Sequence, residues 1–415
     1  MKYIDIYIIG GNFIGKGAEA MMLVTKQQIH KRIPNARFWI QPVNPENEEK
    51  YKEIGFNIVY TQKRNRLARR LLLLNDILFS FLNRRKKNIV SGDKVINILR
   101  ATDAVVDIAG FASSDQFGSN SGRGRWLYYL IANISRNKII FLPQSWGPFN
   151  FKKNRSSTRK MLGMADLIYA RERISSNYLI DSGCVDESKV YLSKDIAFLF
   201  EVENYEEAAG KVLRQLDFEN QESNFITITP NMQIYRRTKG ENENNEYIQN
   251  ISGVINYFLN NTDLNIVLIP HEASFNRKND MELCMLLKEL TNNSNRIGIL
   301  NEDESAANVK AVIGKSDFLV ASRYHSLVAA LSMRTPVGVI GWSHKYDELM
   351  QDIGLSDYII EVKSNDSSES VLETIKRTYS DRDIIKTKIE EAMPQIEKGI
   401  NEVFDKTAEL LKGEY

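Results

Sequence analysis

The sequence predicts an α/β protein made of two Rossmann-like domains followed by a C-terminal helical segment. Three observations carry this. Short apolar runs alternate with helix-period segments along almost the whole chain, which implies parallel strands covered by helices on both faces. The runs form two series separated by an acidic, polar stretch around 200–223. The chain has 415 residues, too many for one ordinary core.

The first series of expected strands lies at 3–9, 37–41, 56–60, 103–109, 138–143, 166–170 and 189–192. The second lies at 224–229, 264–269, 297–300, 317–321, 336–340 and 358–361. Each is a brief apolar run of the kind buried on both faces of a parallel sheet. Helical periodicity fills the intervals, as at 16–31, 155–164, 245–260, 304–314, 324–333 and 345–354. The expected domains are therefore 1–205 and 206–365, with a charged helical tail at 366–415.

Composition bounds the function. At 43% hydrophobic and 26% charged residues the chain reads as soluble and globular. No run approaches a membrane span. Lys2 and Asp5 sit inside the first strand pattern, so no signal peptide is expected. The two cysteines, Cys184 and Cys284, are far apart and lack nearby histidines. That argues against a disulfide framework or zinc ribbon and suits a reducing, cytoplasmic setting. The formal net charge is +2, but residues 61–87 hold nine Lys or Arg against one Asp, a local +8 that leaves −6 for the rest. Within that segment "LLLLNDILFSFL" lies between the two cationic clusters. A buried helix with charged ends and an interfacial helix on an anionic membrane surface are both compatible with it. The second would place the protein peripherally on the inner face of the cytoplasmic membrane. No nucleic-acid partner is expected.

The stretch "IIGGNFIGKGAEAMM" (Ile8–Met22) nearly spells a phosphate-binding loop, with Gly10, four residues, Gly15 and Lys16. The next position should carry the hydroxyl that ligates Mg2+. It is Gly17. The spacing also fails the dinucleotide fingerprint. What remains is a strand, a glycine turn and a helix, serving either structure alone or a cleft at the strand ends.

Polar groups cluster just after expected strands. Strand 317–321 ends at Ser322-Arg323-Tyr324-His325, with Ser322 expected as the N-cap of the next helix. Strand 336–340 ends near Trp342-Ser343-His344-Lys345. Cations at helix N-termini oppose the helix dipole, so a bound anion is expected there. Arg171 and Glu172 follow strand 166–170, and His271 and Glu272 follow 264–269. Asp107 ends another strand, with Ser113, Ser114 and Asp115 after it, and Gln144-Ser145-Trp146 ends another.

Two tandem domains of this kind plus a long C-terminal helix resemble the GT-B architecture, in which ligands sit in the crevice facing the strand ends. The motifs narrow this further. Asn12, Gly15, Glu19 and Ala20 form an N-x-G-x-x-x-E-A-type turn. A glycine-rich acidic loop runs from Asp107 to Gly118, Q-S-x-G-P from Gln144 to Pro148, and A-R-E-x-x-S from Ala170 to Ser175. S-R-Y-H-S spans Ser322 to Ser326, with Lys345-Tyr346 downstream. On these the chain resembles the polysaccharide pyruvyl transferases, which move pyruvate from phosphoenolpyruvate onto a sugar as a ketal and release phosphate. It departs from many of them at Lys16, where they carry an acidic residue.

The resemblance implies a donor site formed by Arg171, Arg323 and Lys345 with Tyr324 and Ser322, since cations suit a carboxylate and a phosphate. It implies a histidine acid, His325 first and His344 second. Asp107, Asp115, Glu19 and Asp195 remain open as the base. Asn12, Glu19, Asp115, Gln144 and His271 would face the acceptor, a sugar of a surface polysaccharide or its lipid-linked precursor. Phosphoenolpyruvate enters as donor substrate, with no cofactor and no metal expected. Two rival expectations are a GT-B glycosyltransferase using a nucleotide-sugar and a non-catalytic carbohydrate-binding protein.

Overall fold

A computed structural model of the protein describes residues 3–60, 93–118, 125–218, 220–221, 223–272, 279–292, 294–361 and 368–413. The basic segment 61–87, with its expected membrane contact, lies outside the described residues.

By contact the chain divides into two compact units. The first comprises Met1–Phe13, Met21–Ile196 and Lys398–Tyr415. Among the described residues its sheet has seven strands, β1 (Ile4–Ile9), β2 (Ala36–Ile40), β3 (Asn57–Ile58), β4 (Ala104–Asp107), β5 (Lys138–Gln144), β6 (Leu167–Ala170) and β7 (Val190–Leu192). They lie in the order β3-β2-β1-β4-β5-β6-β7, and every pair is parallel. Tyr7, Val105, Tyr129, Phe141, Trp146 and Leu179 belong to its core. At the end of β1 the chain turns at Gly10, where φ is +101° and a Cβ would meet the Ala109 backbone at 2.5 Å. Only glycine fits that turn.

The second unit comprises Ile14–Ala20 and Ala197–Glu397. Its six strands among the described residues are β8 (Phe225–Thr229), β9 (Asn265–Leu268), β10 (Ile297–Ile299), β11 (Phe318–Ala321), β12 (Val337–Gly341) and β13 (Ile359–Glu361). The order is β10-β9-β8-β11-β12-β13, again all parallel. Its core gathers Ile228, Tyr247, Phe258, Leu268, Phe318 and Ile340. The winding reverses between β8 and β11, and in open parallel sheets the crevice outside the carboxyl ends at such a reversal is where ligands bind.

Each expected strand is present in place. The unit division differs in position. It falls at 196/197 rather than 205/206, since helix Tyr205–Leu213 buries Ala209 and Val212 and packs on helix Ala306–Lys315. The C-terminal region is not a segment apart. Helix Ser368–Ser380 buries Val371 and Ile375 in the second core. The long helix Arg382–Lys412 runs on from there, its residues shared between the two units.

Candidate functional site

The second unit holds the densest chemistry, at the carboxyl ends of β8, β9 and β11. The fully buried strand β11 runs into helix Tyr324–Met333. The N-cap is Arg323, in extended backbone and without a side-chain cap, not Ser322 as expected. Ser322 works through its carbonyl, which accepts from Asn231 Nδ2 at 2.7 Å and Tyr346 Oη at 3.0 Å. Ser326 shares a 2.7 Å hydrogen bond with Thr229 on β8. These bonds fix the loop and leave His325 in the first helical turn.

Arg323 does not wait for an anion. Its Nη1 donates to Glu272 at 2.7 Å and its Nη2 to Asp280. Burial works against its charge, but Asp280 and Glu272 outweigh that and hold its pKa above the ordinary arginine value. The sequence argument from an uncompensated cation at a helix start is therefore corrected, because the compensating charge is internal. Asp280 is the organiser. It is fully buried, and beyond Arg323 it accepts from the backbone N–H of Met232 (3.0 Å), His271 (3.2 Å) and Glu272 (3.0 Å). One carboxylate thus ties together the chain after β8, β9 and β11.

The glycine turn Ile14–Ala20 belongs to this unit. Lys16 N donates to the His271 carbonyl at 3.1 Å, and Gly15 bridges Glu272. A Cβ on Gly17 would lie 2.1 Å from His325 Nδ1 and 2.2 Å from its Cγ. The imidazole occupies the space a side chain would need, which is why this near-P-loop has glycine where a hydroxyl would stand.

Beside that contact lies a pocket of about 310 Å³ when the open solvent at its mouth is included. Its polar lining is Lys16, His271, Lys310 and His325, and its apolar lining includes Phe200 and Val309. Among the described residues no carboxylate lines it. Lys16 Nζ donates to the Glu302 carbonyl at 2.7 Å. Lys310 Nζ donates to the Phe200 carbonyl at 2.5 Å. Burial lowers the Lys310 pKa to about 7, with Arg334 adding to the effect. Burial, followed by the nearby His325, Arg323 and Lys16, pushes His271 well below the ordinary histidine range, so it is neutral. Lys310 was not visible as a site residue in the sequence, where it reads as one more helix cation. Lys16 was visible only as a departure from a motif.

The other strand-end cation is Lys345, in the first turn of helix His344–Asp352. Its Nζ lies 5.2, 5.4 and 5.7 Å from the ring centroids of Tyr324, Trp342 and Tyr346. Tyr324 and Tyr346 meet edge to face at 5.6 Å. His344, the second histidine expected as an acid, opens the same helix; it is absent from the pocket lining. Glu19, expected at the acceptor, is buried and accepts from the Ala306 N–H at 3.0 Å, supporting the start of helix Ala306–Lys315.

In the first unit the expected site residues are absorbed by structure. Arg171 is 2% exposed. It donates to Asp195 (2.5 Å), Glu172 (2.9 Å) and Ser145 Oγ (2.6 Å). A guanidinium so enclosed braces β5, β6 and the chain after β7, and the donor-anchor expectation for it is set aside on this geometry. Asp107 accepts from Arg125 (2.6 Å), Ala109 N–H (2.7 Å), Gln144 Nε2 (3.3 Å) and Tyr129 Oη. With four donors on two oxygens it has no lone pair left for a substrate hydroxyl. Gln144 is correspondingly buried beneath it. Asp115 accepts from the N–H groups of Asn150 and Phe151 and from Asn154 Nδ2 at 2.7 Å, pinning its loop. Asn12 lies in the turn after β1, with its Nδ2 3.4 Å from the Gly10 carbonyl.

The chain is similar over its full length to several solved structures. A glycosyltransferase from Rickettsia africae matches with 15% identity and a TM-score of 0.61, covering 100% of this chain and 99% of that one. A UDP-GlcNAc 2-epimerase from Neisseria meningitidis, bound to UDP-GlcNAc, matches with 12% identity and a TM-score of 0.61, covering 99% and 100%. The Anabaena protein HepE, in complex with UDP, matches with 13% identity and a TM-score of 0.59, covering 99% and 100%. At these identities the likeness is one of fold, and it is the GT-B class that the two strand series and the C-terminal helix predicted. A sequence model of the family described as polysaccharide pyruvyl transferase matches residues 16–344, a span that runs from the glycine turn through S-R-Y-H-S to His344. The chain belongs to the polysaccharide pyruvyl transferase family.

Proposed function

We propose that this chain transfers the pyruvyl group of phosphoenolpyruvate onto two hydroxyls of one sugar in a surface polysaccharide or its lipid-linked precursor. The observation that supports this most is the pocket at the ends of β9 and β11, lined among the described residues by two lysines and two histidines and by no carboxylate. Such a lining suits a small dianionic ligand.

In this reading Lys16 and Lys310 hold the donor's phosphate. His325 gives a proton to the methylene carbon, leaving an oxocarbenium-like centre at C2. The first sugar oxygen bonds to C2 and loses its proton. The C2–O bond to phosphate breaks with its electron pair going to oxygen, phosphate takes up a proton, and the second sugar oxygen completes the ketal as its own proton leaves. One proton is added at carbon and one to phosphate, and two are released by the hydroxyls, so the step balances. The partner in this scheme is a sugar; no cofactor enters it.

The test is mass spectrometry of galactose-, mannose- and glucosamine-terminated acceptors incubated with phosphoenolpyruvate, with phosphate release measured in parallel. One pyruvyl ketal gained per phosphate released supports the reading. Transfer of a sugar from a UDP- or GDP-sugar, with none from phosphoenolpyruvate, replaces it with glycosyl transfer.

A further inference from the structure

A second cationic site lies outside the pocket, on Trp342. The guanidinium carbon of Arg237 stands 4.2 Å from the Trp342 ring centroid, and Lys345 Nζ lies 5.4 Å from the same ring. Arg237 follows the short helix Met232–Tyr235 after β8, and Trp342 follows β12. The two strands flank β11, so these side chains converge at the reversal of the sheet.

Arg237 is held without being neutralised. Its Nη1 donates to the Gln233 carbonyl at 2.7 Å and to Gln233 Oε1 at 3.2 Å. Its Nε and Nη2 make no hydrogen bond among the described residues, and no carboxylate there pairs with it. Arg237 is exposed, and desolvation of its guanidinium, followed by Arg236 next to it, lowers its pKa. The Nε and Nη2 edge is the fork that grips two oxygens of a phosphate at once. The indole under its guanidinium carbon and the bonds from Nη1 to Gln233 restrict the side chain, so less freedom is lost when an anion binds.

We propose that Arg237 and Lys345, mounted on Trp342, form a phosphate-binding site. The ligand class is a phosphate monoester or diphosphate, and two sources fit: the phosphate that carries the acceptor sugar, and the donor's phosphate if it is held here instead of on Lys16 and Lys310. The site stands on the geometry of Arg237 and Trp342 and does not depend on pyruvyl transfer.

The experiment follows intrinsic fluorescence and binding heat of the full chain with phosphoenolpyruvate, with a UDP-sugar as a diphosphate-linked sugar, and with pyruvate as a carboxylate-only control. The expected result is saturable binding of at least one phosphate ligand with a fluorescence change that Trp342→Phe abolishes. Arg237→Gln should weaken that binding by tenfold or more, and Arg237→Lys should recover only part of it. Weakening confined to phosphoenolpyruvate identifies the donor as the source, and weakening confined to the UDP-sugar identifies the acceptor carrier. If both affinities are unchanged in Arg237→Gln, if neither ligand binds at millimolar concentration, or if pyruvate binds as well as they do, the proposal is overturned. Because the readout is binding, it stands or falls separately from any transfer assay.

Discussion

Gly17 and His325 share one space. A Cβ added to Gly17 would fall 2.1 Å from His325 Nδ1, far inside any real contact. The turn that opens the first long helix is thus shaped around the imidazole. Gly17→Ala should push His325 out of place. A displacement of about 1 Å in a reacting group costs on the order of a hundredfold in rate, and overpacking costs about 1–3 kcal/mol in stability. Steady-state rates and urea unfolding of the same variant check both. Full activity in Gly17→Ala would show that the position of His325 is irrelevant to turnover.

His325→Gln keeps polarity and much of the volume but removes the group proposed as the acid. Turnover should fall about a hundredfold or more, the scale of a lost acid–base group. Donor affinity, measured calorimetrically, should change little. Weakened binding with an unchanged rate at saturation would make His325 an anchor and leave the proton to another group.

Asp280→Asn tests the organiser. The variant leaves Arg323 with Glu272 alone and weakens the hold on the backbone after β8 and β9. Removing one partner of a buried ion pair costs roughly 3–5 kcal/mol. A drop of that order in the unfolding free energy is expected. A change under about 1 kcal/mol would mean that Asp280 does not carry the strand ends.

Lys310 sets a pH dependence whose sign is fixed. Its pKa is lowered from the ordinary 10.5 to about 7 in the folded chain. Between those values the unfolded chain binds more protons, so stability rises with pH across that window, and below about pH 7 the penalty is fully present. Lys310→Met lacks this term. Relative to the variant, the natural chain should gain on the order of 2–4 kcal/mol between pH 6.5 and 10. Unfolding midpoints at several pH values read this directly, and parallel pH curves for the two proteins would contradict it.

Much of this fold was legible in the sequence because parallel strands buried on both faces appear as unbroken apolar runs. The run expected at 317–321 is β11, Phe318–Ala321, and the helix expected at 324–333 spans those residues. The S-R-Y-H-S stretch was legible for the same reason, as a polar group directly after such a run. What the sequence concealed was long-range charge pairing. Arg323 is answered by Asp280, 43 residues away, and Arg171 by Asp195, 24 residues away. No local pattern reports a partner at that distance. Asp107 likewise read as a candidate base, because nothing in its own strand announces Arg125 and Tyr129. Lys310 was hidden differently, since helical periodicity places a lysine without telling whether its amine meets water or the Phe200 carbonyl.

The central claim is that the basic pocket serves pyruvyl transfer. The most direct measurement is the mass of a sugar acceptor after incubation with phosphoenolpyruvate and the enzyme, with Lys16→Met and His325→Gln run beside the natural chain. The account predicts one pyruvyl ketal per acceptor, matched by one phosphate released, and losses of about a hundredfold or more in both variants. Ketal formation at the natural rate in both variants, or sugar transfer from a nucleotide-sugar with phosphoenolpyruvate inert, would contradict it.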